Sequence, residues 1–251
     1  MKIFPVQEFF NRIAENYDSR YTPEKPLHHW YFNDRLRLAT EGLQLNEKRV
    51  LDIGAGTGAL YSYLMARYDG HIDYQGCDIS SEMLASSPIP EDRRFVGTCH
   101  EIPPSKDALD VIFVLGVTTY MSYDDLVALI SWCRRHISDV GTVVITFSTK
   151  STYNTIAMKP IMPLVRLVGK RDRVAAQEFP RSTYSPDDVT DVLGNMFSVR
   201  TCHFLNQTFF PFNHLVPRTS IVLAKFLRDN INNTSILAKL SGEFMMHLTP
   251  K

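Results

Sequence analysis

The sequence predicts an α/β fold in which a doubly wound, mostly parallel sheet carries helices on both faces. From residue 49 onwards, short apolar segments alternate with amphipathic ones, and a glycine-rich turn follows the first apolar segment. Residues 109–116 are almost continuously apolar, which is typical of a strand buried on both faces. Such alternation indicates parallel strands whose ligands bind at their carboxyl ends.

Two helices are predicted before the first strand. Six apolar side chains between Val6 and Tyr17 recur at helical spacing, which predicts an amphipathic helix over residues 5–17. A second helix is predicted over about residues 30–41. We therefore assign residues 1–45 to an N-terminal helical cap.

Residues 46–148 form the predicted core, in which strands and helices follow one another in order. The predicted strands are RVLDIG, IDYQGCDI, RRFVG, LDVIFVLG and GTVVITFS. The predicted helices cover residues 57–68, the segment SSEML and residues 123–137.

The alternation stops at residues 149–184, which we predict to be an insert after the fifth strand. Its segment 159–181 mixes aliphatic residues with six basic and two acidic ones. Such a segment could cover an apolar or anionic substrate as a lid, or could contact a carrier protein or a membrane surface. A solvated amphipathic helix that covers the core is the alternative.

Residues 185–251 return to regular structure. Ser185, Pro186 and two aspartates predict a helix start, and Gly194 predicts its end. FSVRTCHFL is a predicted strand, and a helix is predicted from Pro217 as a pocket wall or a dimer face. GEFMMHL is the last predicted strand.

Composition argues against several functional classes. Lys plus Arg and Asp plus Glu are 27 each, so no net charge attracts nucleic acid. The four cysteines lie far apart, which argues against disulfides and zinc, and no metal-binding pattern is visible. Without a signal peptide or an 18-residue apolar run, we predict a cytoplasmic protein with no transmembrane segment and leave its oligomeric state open.

The glycine-rich turn in LDIGAGTG is compatible with two cofactors. Gly54, Gly56 and Ala59 fit the dinucleotide pattern, whereas Gly54, Gly56 and Gly58 fit a G-x-G-x-G pattern preceded by Asp52. A carboxylate at residue 52 is unfavourable beside a pyrophosphate but favourable beside an ammonium and a sulfonium. Asp78 at the end of the next strand could bind ribose in either case. Asp52 therefore favours S-adenosylmethionine over a nicotinamide dinucleotide as the cofactor.

Several segments together resemble the class I S-adenosylmethionine-dependent methyltransferases, of the small-molecule type. The resemblance rests on LDIGAGTG, DISSEML, EFFNRIAENYDSRY, LDVIFVLGVTTYM and YSPDDVTDVLGNMFSVRT, and it is strongest over residues 48–148. It implies a Rossmann-like sheet of seven strands with an antiparallel last strand, and S-adenosylmethionine as the cofactor.

The resemblance also implies which residues contact the cofactor. The glycine loop and Asp52 are expected at its amino-acid part, Asp78 at the ribose, and Ile79 and Met83 at the adenine. Thr98 stands where many members have an acidic residue that receives the adenine amino group. The full set of expected contacts is Tyr17, Tyr21, Asp52, Gly54, Ala55, Gly56, Gly58, Asp78, Ile79, Met83, Thr98, Cys99, Leu115 and Gly116.

A methyl acceptor with a labile proton would gain from a general base. The candidates by residue type are His28, His29, His100, Tyr120, His203 and His214. His100 and Tyr120 are the ones we select, and His100 is the better placed because it follows a strand at the cofactor side. The sequence thus predicts methyl transfer to a small, largely apolar organic molecule, at oxygen or carbon. A nicotinamide-dependent oxidoreductase and a catalytically silent methyltransferase-like interaction protein are the alternatives.

Overall fold

In a computed structural model, described for residues 3–68, 71–103, 107–149, 181–208, 212–231 and 234–251, the strands form one seven-stranded sheet. The strand order is β3-β2-β1-β4-β5-β7-β6, in which β1 to β5 pair in parallel and β7 runs antiparallel to both β5 and β6. This confirms the predicted fold class. The strands are β1 Arg49–Ile53, β2 Asp73–Asp78, β3 Arg94–Val96, β4 Leu109–Val114, β5 Ile137–Ser148, β6 Phe197–Leu205 and β7 Glu243–Pro250.

Nine α-helices are found in the described ranges. They are α1 Ile3–Ile13, α2 Pro26–Ala39, α3 Ala59–Tyr68, α4 Ser81–Ala85, α5 Tyr123–His136, α6 Pro186–Leu193, α7 Phe212–Leu215, α8 Pro217–Asn230 and α9 Thr234–Leu240. Of the helices described, none is both long enough and apolar enough to cross a membrane.

The cap differs from its prediction in where the helices begin and end. Helix α1 ends at Ile13, and two short 3-10 turns follow in place of a helix to residue 17. The Ser19 hydroxyl donates to the Asn16 carbonyl at 2.7 Å, a local bond of the kind that competes with helix continuation. Helix α2 begins at Pro26, earlier than predicted, because proline is tolerated in a first turn where its missing N–H is not needed.

Strand β5 begins at Ile137, directly after α5, instead of at residue 141 as predicted. Its pairing with β4 shifts in register between Leu109 and Val111. In this early part Ser138 and Asp139 are polar and Val140 is 91% exposed, so its sequence lacks the continuous apolar pattern that predicted the remainder.

The C-terminal predictions for α6 and β7 are confirmed. The Ser185 hydroxyl accepts a hydrogen bond from the Asp188 N–H at 3.2 Å, and Gly194 ends the helix at a φ of +49°. Helix α8 packs on α2, where Arg228 pairs with Asp34.

Two apolar clusters cover the two faces of the sheet, and a third fastens the cap. Phe9, Ile13 and Ala14 pack against Met83 of α4 in that third cluster. Because α4 follows β2 directly, this contact places the cap over the carboxyl end of β2.

Candidate functional site

A cavity of about 570 Å³ lies at the carboxyl ends of β1, β2, β4 and β5. The walls include every residue predicted to contact the cofactor except Gly58, and they include both His100 and Tyr120. Helix α8 was predicted as a pocket wall or a dimer face, and none of its residues is among the described lining residues. Residues as far apart in the chain as Val6 and Glu243 are thus brought together at one edge of the sheet.

The glycine loop after β1 is held by the end of β2. The N–H groups of Gly54 and Ala55 both donate to the Cys77 carbonyl, at 2.8 and 3.0 Å. A Cβ on Gly54 would lie 2.2 Å from Val117 Cγ2, and the φ of Gly54 is +80°. Glycine is therefore required at residue 54 by both conformation and space.

Gly56 and Gly58 differ in what surrounds them. A Cβ on Gly56 would meet nothing closer than the Gly54 carbonyl at 4.0 Å, so this backbone borders open cavity space. A Cβ on Gly58 would lie 2.9 Å from Pro88 Cδ. The structure therefore places Gly58 in the packing between α3 and the turn after α4, outside the cavity wall.

Asp78 is fixed by backbone donors from two loops. Its Oδ2 accepts from the Gly56 N–H at 2.9 Å, and its Oδ1 accepts from the Ser80 N–H at 2.8 Å. Burial raises the pKa of this carboxyl, and the two backbone bonds act in the opposite direction. Each oxygen retains a second lone pair, so the oriented carboxylate can still accept hydroxyl groups from a ligand.

Asp52 is 3% exposed, and its Oδ2 accepts a 2.6 Å hydrogen bond from the Tyr74 hydroxyl. Burial raises the pKa of Asp52 to about 7, with the nearby Asp78 carboxylate acting in the same direction. A cation placed beside Asp52 would favour its ionised form, whereas an anion would oppose it. Two acidic groups in one cavity thus fit a cationic ligand group and do not fit a pyrophosphate.

The cap is hydrogen-bonded to the loops that carry these residues. Gln7 Nε2 donates to the Ile79 carbonyl at 2.7 Å, and the Ser80 hydroxyl donates to Asn11 at 2.6 Å. Asp18 accepts from the Thr57 hydroxyl, also at 2.7 Å. The cap therefore closes the cavity over the ends of β1 and β2.

Aromatic side chains line the other part of the cavity. Phe10 packs edge-on against Tyr120 with a centroid distance of 5.3 Å, and Tyr17 lies 5.5 Å from Tyr21. Tyr21 in turn stacks on Phe32 at 4.2 Å. Burial raises the pKa of the Tyr17 and Tyr120 hydroxyls, so both are neutral hydrogen-bonding groups at physiological pH.

The rim after β3 contains Thr98, His100 and Glu101. The Thr98 hydroxyl and N–H both donate to Glu101 Oε2, at 2.8 and 2.7 Å, in a capping box. His100 borders the cavity but is exposed, with its ring 6.5 Å from that of Trp132. His28, His29 and His203 are not among the lining residues, and the side chain of His214 lies outside the described structure.

Among the lining residues that were not found from the sequence are Tyr31 and Arg35 of α2, and Glu243 at the start of β7. Arg35 Nη2 donates to Glu243 Oε2 at 2.9 Å, and Tyr31 bonds to both partners. The two charged residues are separated by 208 positions. No local sequence signal connects such a pair.

The insert leaves and rejoins the described structure at the cavity. Ser148 and Arg181 both line it, and the Tyr184 N–H donates to the Ser148 carbonyl at 2.9 Å. The Ser182 N–H donates to the Thr119 carbonyl at the same distance. The predicted lid and contact segment at 159–181 lies outside the described residues, apart from Arg181.

Comparisons with known proteins agree with this geometry. A family model described as a methyltransferase domain matches residues 50–141. No curated protein sequence matches the chain significantly.

Solved structures with the same fold extend over nearly the whole chain. Magnesium protoporphyrin IX methyltransferase from Synechocystis PCC 6803, solved with bound SAH, is 15% identical and has a TM-score of 0.63, with 98% of each chain covered. The mycolic acid cyclopropane synthase CmaA1, solved with SAH and CTAB, is 16% identical with a TM-score of 0.62, covering 100% of this chain and 99% of its own. The cyclopropane synthase MmaA2 from Mycobacterium tuberculosis is 14% identical with a TM-score of 0.59, at 100% and 99% coverage. The family model thus identifies residues 50–141 as a methyltransferase domain, and the solved structures share the fold of nearly the whole chain.

Proposed function

We propose that the chain is an S-adenosylmethionine-dependent methyltransferase that acts on a small, largely apolar organic molecule and methylates it at oxygen or carbon. The aromatic part of the cavity is the observation that carries the proposal. Phe10, Tyr21, Phe32 and Tyr120 offer flat apolar surface, and only a few polar groups stand among them. A pocket of this kind binds an apolar body and orients it through a small number of hydrogen bonds.

The residues of the other part of the cavity fit the cofactor. Asp78, oriented by two backbone N–H groups, would accept the ribose hydroxyls, and Ile79 and Met83 would pack on the adenine. Asp52 would face the ammonium of the methionine end, where Gly54 and Gly56 allow close approach. When bound, S-adenosylmethionine supplies an electrophilic methyl group on a sulfonium.

The contribution of the chain to the reaction would be mainly positional. Methyl transfer is an in-line displacement, and holding an acceptor in line supplies much of the rate. Tyr120, neutral because burial raises its pKa, would act as a hydrogen-bond donor to the acceptor rather than as the general base. His100, exposed at the rim, is the candidate base for an acceptor hydroxyl.

The insert at residues 149–184 is proposed as the substrate lid. It departs from Ser148 and returns at Arg181, and both residues line the cavity. A segment anchored at these two points would reach the side of the cavity where the aromatic residues lie.

A cofactor titration and a transfer assay test the proposal. In calorimetry, S-adenosylhomocysteine should bind saturably and NAD should not. The protein should then transfer isotope-labelled methyl groups from S-adenosylmethionine to members of a panel of apolar phenols, carboxylic acids and enols. Asp78→Ala is the control, because it should abolish labelling of every product. Labelling of only highly polar acceptors, such as free amino acids, would refute the substrate class and leave the cofactor assignment intact.

A further inference from the structure

The segment between β6 and β7 carries an apolar surface that the described part of the chain leaves uncovered. Eleven large apolar side chains are exposed among the described residues, and six of them lie between residues 212 and 226. We call these six the apolar patch: Phe212, Leu215, Val216, Val222, Leu223 and Phe226. Single exposed apolar side chains are ordinary on a protein surface, whereas such a concentration in one short segment marks a contact site.

Helices α7 and α8 carry the patch along one helical path. The Val216 N–H donates to the Phe212 carbonyl at 2.8 Å, and the Ser220 N–H donates to the Val216 carbonyl at 3.0 Å. Each bond joins residues four positions apart, so helical bonding continues through the single residue between the two helices. The exposed side chains therefore follow one another along the same surface of the molecule.

Helix α8 turns its small residues inward and its large apolar residues outward. Ser220 and Ala224 are buried, and since they are four positions apart they share one side of the helix. Val222 and Phe226 are also four positions apart, lie on the opposite side, and are 68% and 59% exposed. A helix that only covers a core places its large apolar side chains against that core. The outward side of α8 is therefore suited to a second surface.

The charged residues of α8 indicate the nature of that surface. Arg228 is directed inward, where it pairs with Asp34 of α2, and it also donates to Asp229. Arg218 and Lys225 are exposed, and neither has an ionic partner within the described ranges. They lie four positions before and three positions after Val222, so both border the apolar side of the helix. Basic side chains at such a border can keep their charge at a polar boundary while their neighbours enter an apolar layer.

Two occupants would cover an apolar surface of this kind, a second copy of the chain or a lipid membrane. A two-fold symmetric dimer through α8 would bring Arg218 and Lys225 towards their own copies, and Asp229 is already bonded to Arg228. An anionic membrane presents negative headgroups above an apolar layer, so it matches the cations and the apolar side chains together. We propose that α7 and α8 dock the protein on an anionic lipid membrane, with the apolar patch at headgroup level. This proposal goes beyond the proposed function and does not require it.

Docking through α8 would also act on the cavity, because α8 is fastened to one of its walls. Arg228 pairs with Asp34 of α2, and the same helix places Tyr31 and Phe32 in the cavity wall. A largely apolar methyl acceptor would partition into the membrane, so a docked protein would meet it at a high local concentration. This consequence, unlike the docking itself, rests on the proposed function.

Vesicle co-sedimentation of the full chain tests the docking. The wild-type protein should bind vesicles made from equal parts of phosphatidylcholine and phosphatidylglycerol, and should bind phosphatidylcholine vesicles more weakly. The double variant Val222→Ser/Phe226→Ser should weaken binding to both kinds of vesicle at least about tenfold, since two apolar side chains no longer enter the lipid. The double variant Arg218→Gln/Lys225→Gln should weaken binding to the anionic vesicles about 10–30-fold and leave binding to the neutral ones within about twofold.

Matched controls lie on another part of the surface. Val140→Ser on β5 and Arg135→Gln on α5 also change exposed apolar and basic side chains, and neither should alter vesicle binding. Circular dichroism checks that each variant is folded, and the charge variant keeps the test valid if the apolar variant is not. The assay contains no cofactor, so its outcome is independent of methyl transfer.

Three results would overturn the proposal. The first is a wild-type protein that binds neither kind of vesicle. The second is vesicle binding that both α8 variants retain in full, because another surface would then make the contact. The third is a wild-type dimer in analytical ultracentrifugation that Val222→Ser/Phe226→Ser converts to a monomer, because a second copy would then cover the apolar patch.

Discussion

Asp52 should make cofactor affinity depend on pH in a calculable way. Burial raises its pKa to about 7, so the carboxyl is largely protonated at pH 6 and largely ionised at pH 7.5. An ammonium beside it favours the ionised form, so binding at pH 6 must first remove a proton. With a pKa of about 7 the ionised fraction rises from about 0.09 to about 0.76 over this range, so affinity should rise about eightfold.

The measurement is calorimetric titration with S-adenosylhomocysteine at pH 6.0, 6.5, 7.0 and 7.5. Repetition in buffers with different ionisation enthalpies gives the number of protons released on binding. Release should approach one proton at pH 6 and fall towards zero by pH 8. Asp52→Asn keeps an oxygen that can accept the Tyr74 hydroxyl, and its weaker affinity should no longer follow this pH dependence.

Two results would refute this reasoning about Asp52. The first is a flat affinity profile with no proton release in the wild-type protein. The second is a rising profile that Asp52→Asn retains unchanged, because some other group would then be titrating.

Four further variants test separate parts of the site. Asp78→Ala should weaken S-adenosylhomocysteine binding by at least about 100-fold, since two charge-assisted hydrogen bonds are lost; a loss below tenfold in calorimetry would contradict the ribose assignment. Gly56→Val should abolish S-adenosylhomocysteine binding while the circular dichroism of the protein stays unchanged. Gly58→Ala should lower the free energy of unfolding, measured in urea, by about 1–2 kcal/mol and should leave the affinity unchanged. Equal affinity loss in both glycine variants would argue against the different placement of the two residues. Asp18→Ala removes the hydrogen bond from the Thr57 hydroxyl and should weaken S-adenosylhomocysteine binding about 2–10-fold. The cap of the ligand-bound protein should then exchange its amide hydrogens faster. Unchanged exchange would argue against cap closure.

The sequence was sufficient to predict which residues near the strand ends would line the cavity. Asp52 and Asp78 each stand at the end of a strand that an apolar pattern predicts, and parallel strands bring such ends to one edge of a sheet. The glycine loop was recognisable because its requirements are local. Gly58 shows the limit of that inference, because its spacing fits a cofactor loop while its surroundings are Pro88 and the turn after α4.

Thr98 shows a second limit. It stands where an acidic residue was expected, and the structure places Glu101 three residues later with its carboxylate bound to the Thr98 hydroxyl and N–H. A carboxylate is therefore present near the expected position, but it belongs to Glu101 and is held there by the capping box with Thr98. Spacing along a strand does not predict this arrangement, because it depends on the turn that follows.

The Arg35–Glu243 pair could not have been predicted from sequence for a physical reason. Its members are 208 positions apart, on an N-terminal helix and on a strand inserted antiparallel between β5 and β6. Only that topology brings the start of β7 beside the end of β5, where Glu243 pairs in register with Ser148. The antiparallel last strand thus does more than complete the sheet, because it delivers a carboxylate to the cavity edge from the end of the chain. The cap supplies the matching cation, so neither end of the chain could form this part of the site without the other.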